Sequence, residues 1–406
     1  MLTPVWSVDF RDVNGTVLDI TQHVAPLTER GISGLRRRLS YNSRETDFGL
    51  VSVLVWNGDG QFSRDHASFV LGSGAYAGRR VRIRFGWEMD DGTRIDPSDI
   101  FVGTLESILV DTGHKFAELK LTDALDRLKL TGPSATKANE LFADQTPAAA
   151  CLKMLGADYA NISTEFIDVA SFTDADTTES AASIILRKFR VQQGPWYDSF
   201  RICLTHGGSG VRVARDGRLT YFSYAPDTAD GDPHLVFPGV ARVRGSYSSQ
   251  TVRNSTKALR GDGSDPGDGS APPTAGTPTT LTKELSIASF GERWREQNRE
   301  LTFMNSQTPV DLIADRDLDI ESRSPGNFKL TVPFDDTTYL VDLAQRIKVT
   351  DADLGWVAKS LTVDEVDISF DGMTLNLGVI DTDLDGDPYL YVNRSGHQVD
   401  DGKLIY

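Results

Sequence analysis

The tightest constraint on the fold is a two-residue alternation that returns along the chain. In Arg80-Val81-Arg82-Ile83-Arg84-Phe85 every second residue is apolar and every other one is basic. Side chains of a strand point alternately to its two faces, so one face is buried and the other carries arginine. Gly34–Tyr41, Phe48–Trp56, Phe101–Val110 and Phe116–Leu121 are also rich in Val, Ile, Leu and aromatic residues. Asn57-Gly58-Asp59-Gly60 and Asp91-Gly92 separate them with turn chemistry. The first third of the chain is therefore expected to be β, closed by a short helix over Asp123–Leu128.

The middle changes period. Thr146-Pro147, then AAACLKML, then Gly156 is an N-cap, an N1 proline and a C-terminal glycine in order. Thr178–Phe189 and Trp196–Thr205 are further helix candidates. Asp216-Gly217 between Val211–Ala214 and Arg218–Phe222 predicts a hairpin. Gly261–Thr280 is nearly pure Gly, Pro, Ser, Thr, Asp and Ala, and is expected to be a flexible loop. A capped helix follows from Thr308 to about Asp317. Strands then return at Phe328–Val332, Arg346–Thr350, Trp356–Phe370 and Met373–Ile380, with Asp371-Gly372 turning the last pair.

These strand-rich ends resemble each other. RVRIRFG, FVGTLESILVD and FAELKLTDAL near the start are matched by RIKVTDA, WVAKSLTVDEV and MTLNLGVID near the end. Chance likeness between two β-rich regions and a true duplication both produce such a pattern. A duplication has a consequence for assembly: three chains would supply six similar units, facing a six-fold partner on one side and a three-fold one on the other.

With 406 residues the chain is expected to hold about two to four domains. Its longest apolar runs, such as Leu50–Trp56, are too short to span a bilayer, and MLTPVWSVDFRD reads as no secretory signal. Cys151 and Cys203 are the only cysteines, which suits synthesis in a reducing cytoplasm. The net charge of −16 argues against a dedicated nucleic-acid binder.

No catalytic, cofactor-binding or metal residue is assigned from the sequence. His206 lies in Thr-His-Gly-Gly-Ser-Gly, but Ser209 lacks the final glycine of a nucleophile elbow. A glycine turn after a helix is the preferred reading, with Cys203 buried and His206 on the surface. Asp381–Asp387 matches the first half of a calcium loop, yet Val392 stands where a bidentate Glu is required. The arginines of Arg80, Arg82 and Arg84, with Arg36–Arg38, have three readings. They form a solvated face, or pair with acidic groups between subunits, or (least favoured) meet DNA.

The order of motifs resembles one known family. RRRLSYNSRETDFGLVSVLVWNGDGQFS contains an Asn-x-Asp-Gly-x-Phe turn. RRVRIRFGW, Phe101-Val102-Gly103-Thr104-Leu105 and Leu119–Leu128 then follow in the order seen in bacteriophage tail baseplate hub proteins. Val243–Ser248, Val252–Ser255 and Ser289–Arg293 resemble the elements that begin that family's second barrel. The likeness spans residues 5 to 380 or so and also touches the base of type VI secretion spikes.

The resemblance implies a mainly β protein with α+β insertions: two tube-like β-barrel domains plus mixed α/β domains, assembling as a ring. The barrels are expected at 1–131 and at 239–262 with 326–380. A mixed α/β domain is expected at 132–238, a loop and small helical insertion at 263–325, and a C-terminal arm at 381–406. The implied role is a non-enzymatic, cofactor-free homotrimeric hub in the virion, made in the host cytoplasm. Its partners would be the tail tube or distal tail protein on one face and a spike, fibre or other tail-tip protein on the other. A tape-measure protein and passing DNA would occupy the channel, without a membrane anchor. A tail-associated cell-wall hydrolase and a receptor-binding tip protein are the competing classes.

Overall fold

The computed structural model describes residues 3–380 except 12–15, 41–44, 48, 67–68, 70, 72–78, 112, 224–234, 238–241, 247–251, 262–276, 284–285, 289–290, 294–298, 302 and 323–326. The C-terminal arm, the acidic run Asp381–Asp387 and most of the Gly/Pro-rich loop lie outside the described residues.

The first region contains β1 (Thr3–Arg11), β2 (Val17–Asp19), β3 (Ile32–Ser40), β4 (Glu45–Thr46), β5 (Leu50–Trp56), β6 (Arg80–Glu88), β7 (Arg94–Asp111) and β8 (Phe116–Thr122), then α1 (Ala124–Leu130). Alternation decides which faces are buried. Val81, Ile83 and Phe85 of β6 are buried, as are Val51, Val53 and Val55 of β5. At the end of β5 the Asn57 carboxamide accepts the Phe62 N–H at 2.7 Å and donates to Ser63 at 3.0 Å. That closes the Asn-Gly-Asp-Gly turn and drops Phe62 into the core. β1 is a strand that the expected set lacks, with Val8 and Phe10 alternating inward along it.

The middle holds β9 (Leu141–Gln145), α2 (Pro147–Leu155), α3 (Val169–Ala181), β10 (Leu186–Arg190), α4 (Trp196–Gly207), β11 (Ser209–Val213) and β12 (Leu219–Ser223). The helix expected over Thr178–Phe189 is corrected here. It starts earlier and ends at Ala181, and after a turn the end of the span becomes β10, paired antiparallel to β9. Thr, Ser and Asp disguise the earlier half because they are weak helix formers. The Thr173, Thr177 and Thr178 hydroxyls instead donate back to carbonyls four residues earlier.

The last region contains β13 (Leu235–Phe237), β14 (Arg242–Ser246), β15 (Ser255–Leu259), β16 (Thr279–Thr282), β17 (Arg299–Glu300), α5 (Gln307–Glu321), β18 (Asn327–Pro333), β19 (Arg346–Asp351), β20 (Trp356–Ser369) and β21 (Thr374–Ile380). The expected loop ends sooner than Thr280, because Thr279 and Thr280 already pair with Ala258 and Lys257.

Two cores organise these elements. One gathers the β1–β8 and β18–β21 strands, with Phe85 meeting Phe334 and Phe370 at ring separations of 5.2 and 5.7 Å. The other is mixed α/β: α1, α2, α4 and β11 enclose Phe142, Phe172, Phe189 and Phe200, joined by Ala258 and Ile313 of the later insertion. Fourteen strands form a single sheet, with the path β14-β18-β21-β20-β3-β5-β8-β7-β6-β1-β2. The protein is thus mainly β with a large, mostly antiparallel sheet. Two separate barrels were expected, but among the described residues no strand pairing closes a barrel.

Within that sheet one pairing order occurs twice. The neighbours run β1-β6-β7-β8-β5-β3 in the first unit and β13-β19-β20-β21-β18-β14 in the second, with the strands used in the same chain order. The registers agree as well. Leu50–Trp56 pair with Thr122–Phe116 as Asn327–Pro333 pair with Ile380–Thr374. Each long strand carries a bulge at the same place, between Leu105 and Ser107 and between Val363 and Glu365. Arg80 faces Thr104 where Arg346 faces Thr362. This register aligns Phe101 with Lys359, three residues away from the Trp356 match suggested by sequence. The units differ at two pairings: β1 is antiparallel to β6 but β13 parallel to β19, and β3–β5 shifts register between Ser33 and Arg36 where β14–β18 does not.

Candidate assembly junction

The two units meet where β3 pairs with the second half of β20. Leu35, Arg36, Arg37 and Arg38 lie opposite Ile368, Asp367, Val366 and Glu365. Beyond Thr362 the edge of β20 is no longer occupied by β19, and β3 takes its place. The junction has opposite charges on its two sides. The Arg36 guanidinium reaches the Glu365 carboxylate at 2.7 Å, and Lys329 approaches the same group at 3.6 Å. Burial and the neighbouring Glu365 raise the Asp364 carboxyl to about 6, although Arg38 opposes the shift.

Arg37 points the other way, into a buried knot. Its Nη1 lies 2.9 Å from Asp342 Oδ1, with both side chains 4% exposed, and donates to the Val213 carbonyl at 3.3 Å. Asp342 Oδ2 accepts the Arg215 backbone N–H at 3.1 Å and lies 4.0 Å from Arg212. Arg212 in turn donates to the Leu343 carbonyl. Burial lowers the Arg212 and Arg215 pKa values, and Asp342 counters it. Three parts of the fold converge here: β3 of the first unit, the approach to β19 of the second, and β11 of the mixed core. Nothing in the spacing of Asp342, Arg212 or Arg215 marks this convergence; tertiary folding creates it.

The strand arginines find partners within their own chain. Arg82 makes a two-pronged contact with Asp99 at 3.1 and 2.7 Å. Arg84 meets buried Asp9 at 2.5 Å, and Arg80 pairs with Glu165 while lying 5.1 Å over the Phe166 ring. The acidic partners expected between subunits are corrected here, because all three lie within the chain: Arg82 and Arg84 tie β6 to its sheet neighbours, and Arg80 ties it to the mixed core.

The remaining candidates serve packing. His206, expected on the surface, is buried near the end of α4. Its Nδ1 lies 2.7 Å from the Ile202 carbonyl, its Nε2 accepts the Phe303 N–H at 3.2 Å, and its ring rests against that of Phe303. Ser209 donates to the Gly207 carbonyl, and Gly208 ends the helix in the left-handed conformation. Cys203 is buried, as expected, near Cys151. Among the described residues, no group of three or more His, Cys, Asp or Glu is placed to hold a metal ion, and no helix is long and apolar enough to cross a membrane. Sequence reasoning missed Glu179, buried under α2. It accepts the Ala148 N–H at 2.8 Å and the Tyr221 O–H at 2.6 Å, and burial raises its carboxyl to about 7.

No family model and no curated protein sequence matches the chain. Solved structures do. The 43 kDa tail protein of prophage MuSo2 from Shewanella oneidensis aligns with a TM-score of 0.53 at 13% identity, over 94% of this chain and 99% of that one. A tail protein from Neisseria meningitidis MC58 gives 0.55 at 10% identity, over 93% and 96%. A prophage tail protein from Listeria monocytogenes EGD-e gives 0.51 at 10% identity, over 92% and 94%. At these identities the likeness is one of fold, and it extends over nearly the whole of each chain.

Proposed function

We propose that this chain is a structural, non-enzymatic protein of a bacteriophage tail: the homotrimeric hub at the tail tip or baseplate. Each six-stranded unit acts as one tube-like domain, and three chains supply six such units around a channel. One face of that ring receives the six-fold tail tube or a distal tail protein, and the other receives a three-fold spike or fibre. DNA passes through without being held. Residues 1–131 form the first tube domain and 239–262 with 326–380 the second. Residues 132–238 and 263–325 decorate the outside, and 381–406 form an arm.

The observation that carries this reading is the doubled pairing order with its matched bulges. An adaptor between six-fold and three-fold symmetry needs two similar units in each of three chains, which the doubled sheet supplies. The end-to-end fold similarity to three phage tail proteins supports the same reading. Light scattering on the full chain, with negative-stain microscopy, tests it. A species of three times the 44.5 kDa chain mass with a central hole is expected. A monomer at every concentration, or a particle without a channel, overturns it.

A further inference from the structure

Among the described residues, two counterparts of the internal junction have an edge with no strand paired to it. In the second unit β20 gives up β19 after Thr362, and its free edge is covered by β3. In the first unit β7 likewise gives up β6 after Thr104, apart from one bond from Leu105 N–H to the Arg79 carbonyl. Among the described residues nothing pairs with β7 beyond that point except β8 on its other side. The strand equivalent to β3 is β14, since Arg36 faces Leu50 where Ser246 faces Asn327. Among the described residues β14 pairs only with β18, so its second edge is open as well.

We infer that copies of this chain join by antiparallel pairing of the open β14 edge of one copy with the second half of β7 of the next. This repeats between chains the junction that β3 and β20 make within one. The inference rests on the trimeric reading and names the surface that would form it.

The register follows from the doubled unit. The shared bulge aligns Leu105 with Val363, hence Leu109 with Asp367 and Val110 with Ile368. Because Arg36 faces Asp367 and Leu35 faces Ile368, Ser246 lies opposite Leu109, and Gly245 opposite Val110. One step further, Arg244 meets Asp111.

Two independent observations favour a second copy as the occupant. The first is uncovered apolar surface: Leu109 and Val110 are 49% and 40% exposed, while Ile368, the covered equivalent of Val110, is 5% exposed. The second is charge. The covered junction sets Arg36 against Glu365. The open edges have the same polarity, with exposed Arg242 and Arg244 on β14 and exposed Glu106 and Asp111 on β7, where Asp111 already meets His114 Nδ1 at 2.7 Å. The contact is head-to-tail, because the two edges belong to different units. β14 starts the strand path and six strands separate it from β7. A head-to-tail contact repeats until the rotation closes a ring, or continues as a filament if it does not.

Disulfide trapping tests this. Antiparallel partners lie about 4.5–5.5 Å apart at Cα, inside the roughly 4.4–6.8 Å that a disulfide spans. The full-length S246C/L109C variant is oxidised with copper–phenanthroline in air and run on a non-reducing denaturing gel. The native Cys151 and Cys203 are buried and give the background. The expected result is a covalent trimer at least tenfold above either single variant and above S246C/V17C, whose second cysteine sits at the far end of the sheet path. A trimer by light scattering without this cross-link overturns the edge assignment and leaves the hub reading standing. Absence of both trimer and cross-link overturns the two together. A ladder running past the trimer supports the edge pairing and overturns the closed ring.

Discussion

Arg37→Met is the sharpest probe of how the parts of this protein are held together. The substitution keeps most of the length of the side chain and deletes its charge. It leaves Asp342, 4% exposed, with backbone N–H donors and with Arg212 at 4.0 Å. Removing one partner of a buried ion pair costs about 3–5 kcal/mol, because the other charge stays desolvated. Arg212 compensates in part, so a loss of about 3 kcal/mol is expected. Asp342→Asn keeps a carbonyl acceptor for the Arg215 N–H but leaves the guanidinium of Arg37 facing an amide, with a loss of the same order. The double variant should cost clearly less than the sum, with a coupling of about 1.5–3 kcal/mol. Urea unfolding followed by both tryptophan fluorescence and far-UV circular dichroism reads these values. Two probes are needed because two cores need not melt together. If the single costs add in the double variant to within about 0.5 kcal/mol, the pair is uncoupled and the argument for the knot fails.

Three further outcomes are expected. Glu179 holds its proton more tightly folded, at about 7, than unfolded, at 4.5. Its contribution is therefore fully present below the unfolded value and is lost as pH rises through about 7. Melts between pH 5 and 8 should show Glu179→Gln flattening that decline by up to about 3 kcal/mol, and an unchanged slope would refute the assignment. Gly217 turns the β11–β12 hairpin at φ +81°, and an added Cβ would lie 2.7 Å from the Val102 carbonyl oxygen. Gly217→Ala should thus cost about 2 kcal/mol or more in the same melts. Leu330→Ala, at a fully buried site, should cost about 2–5 kcal/mol, whereas Leu109→Ala should leave monomer stability within about 0.5 kcal/mol and weaken self-association in sedimentation.

Local chemistry made much of this protein legible from its sequence. The alternation in Arg80–Phe85, the Asn57–Phe62 turn, the N-cap of α2 and the Asp216-Gly217 hairpin each depend on residues a few positions apart. Even the doubling of the sheet unit was visible as a pattern, because β6, β19 and their successors repeat the same periodicity. Where local signals conflicted, the reading failed. Thr-rich α3 looked unlike a helix, and Leu186–Arg190 looked like its continuation until β9 claimed it as a strand.

Only the tertiary structure decided how the repeated units join. The link between β3 and β20 spans more than three hundred residues, and no short-range pattern encodes which free edge covers which. The same holds for Asp342, whose partners Arg37, Arg212 and Arg215 come from distant segments, and for the arginines of β6, whose acidic partners proved to lie in the same chain. A two-residue period determines which side chains face inward; it leaves strand order free. That order is set by which apolar faces must be covered together and by which buried charges must meet.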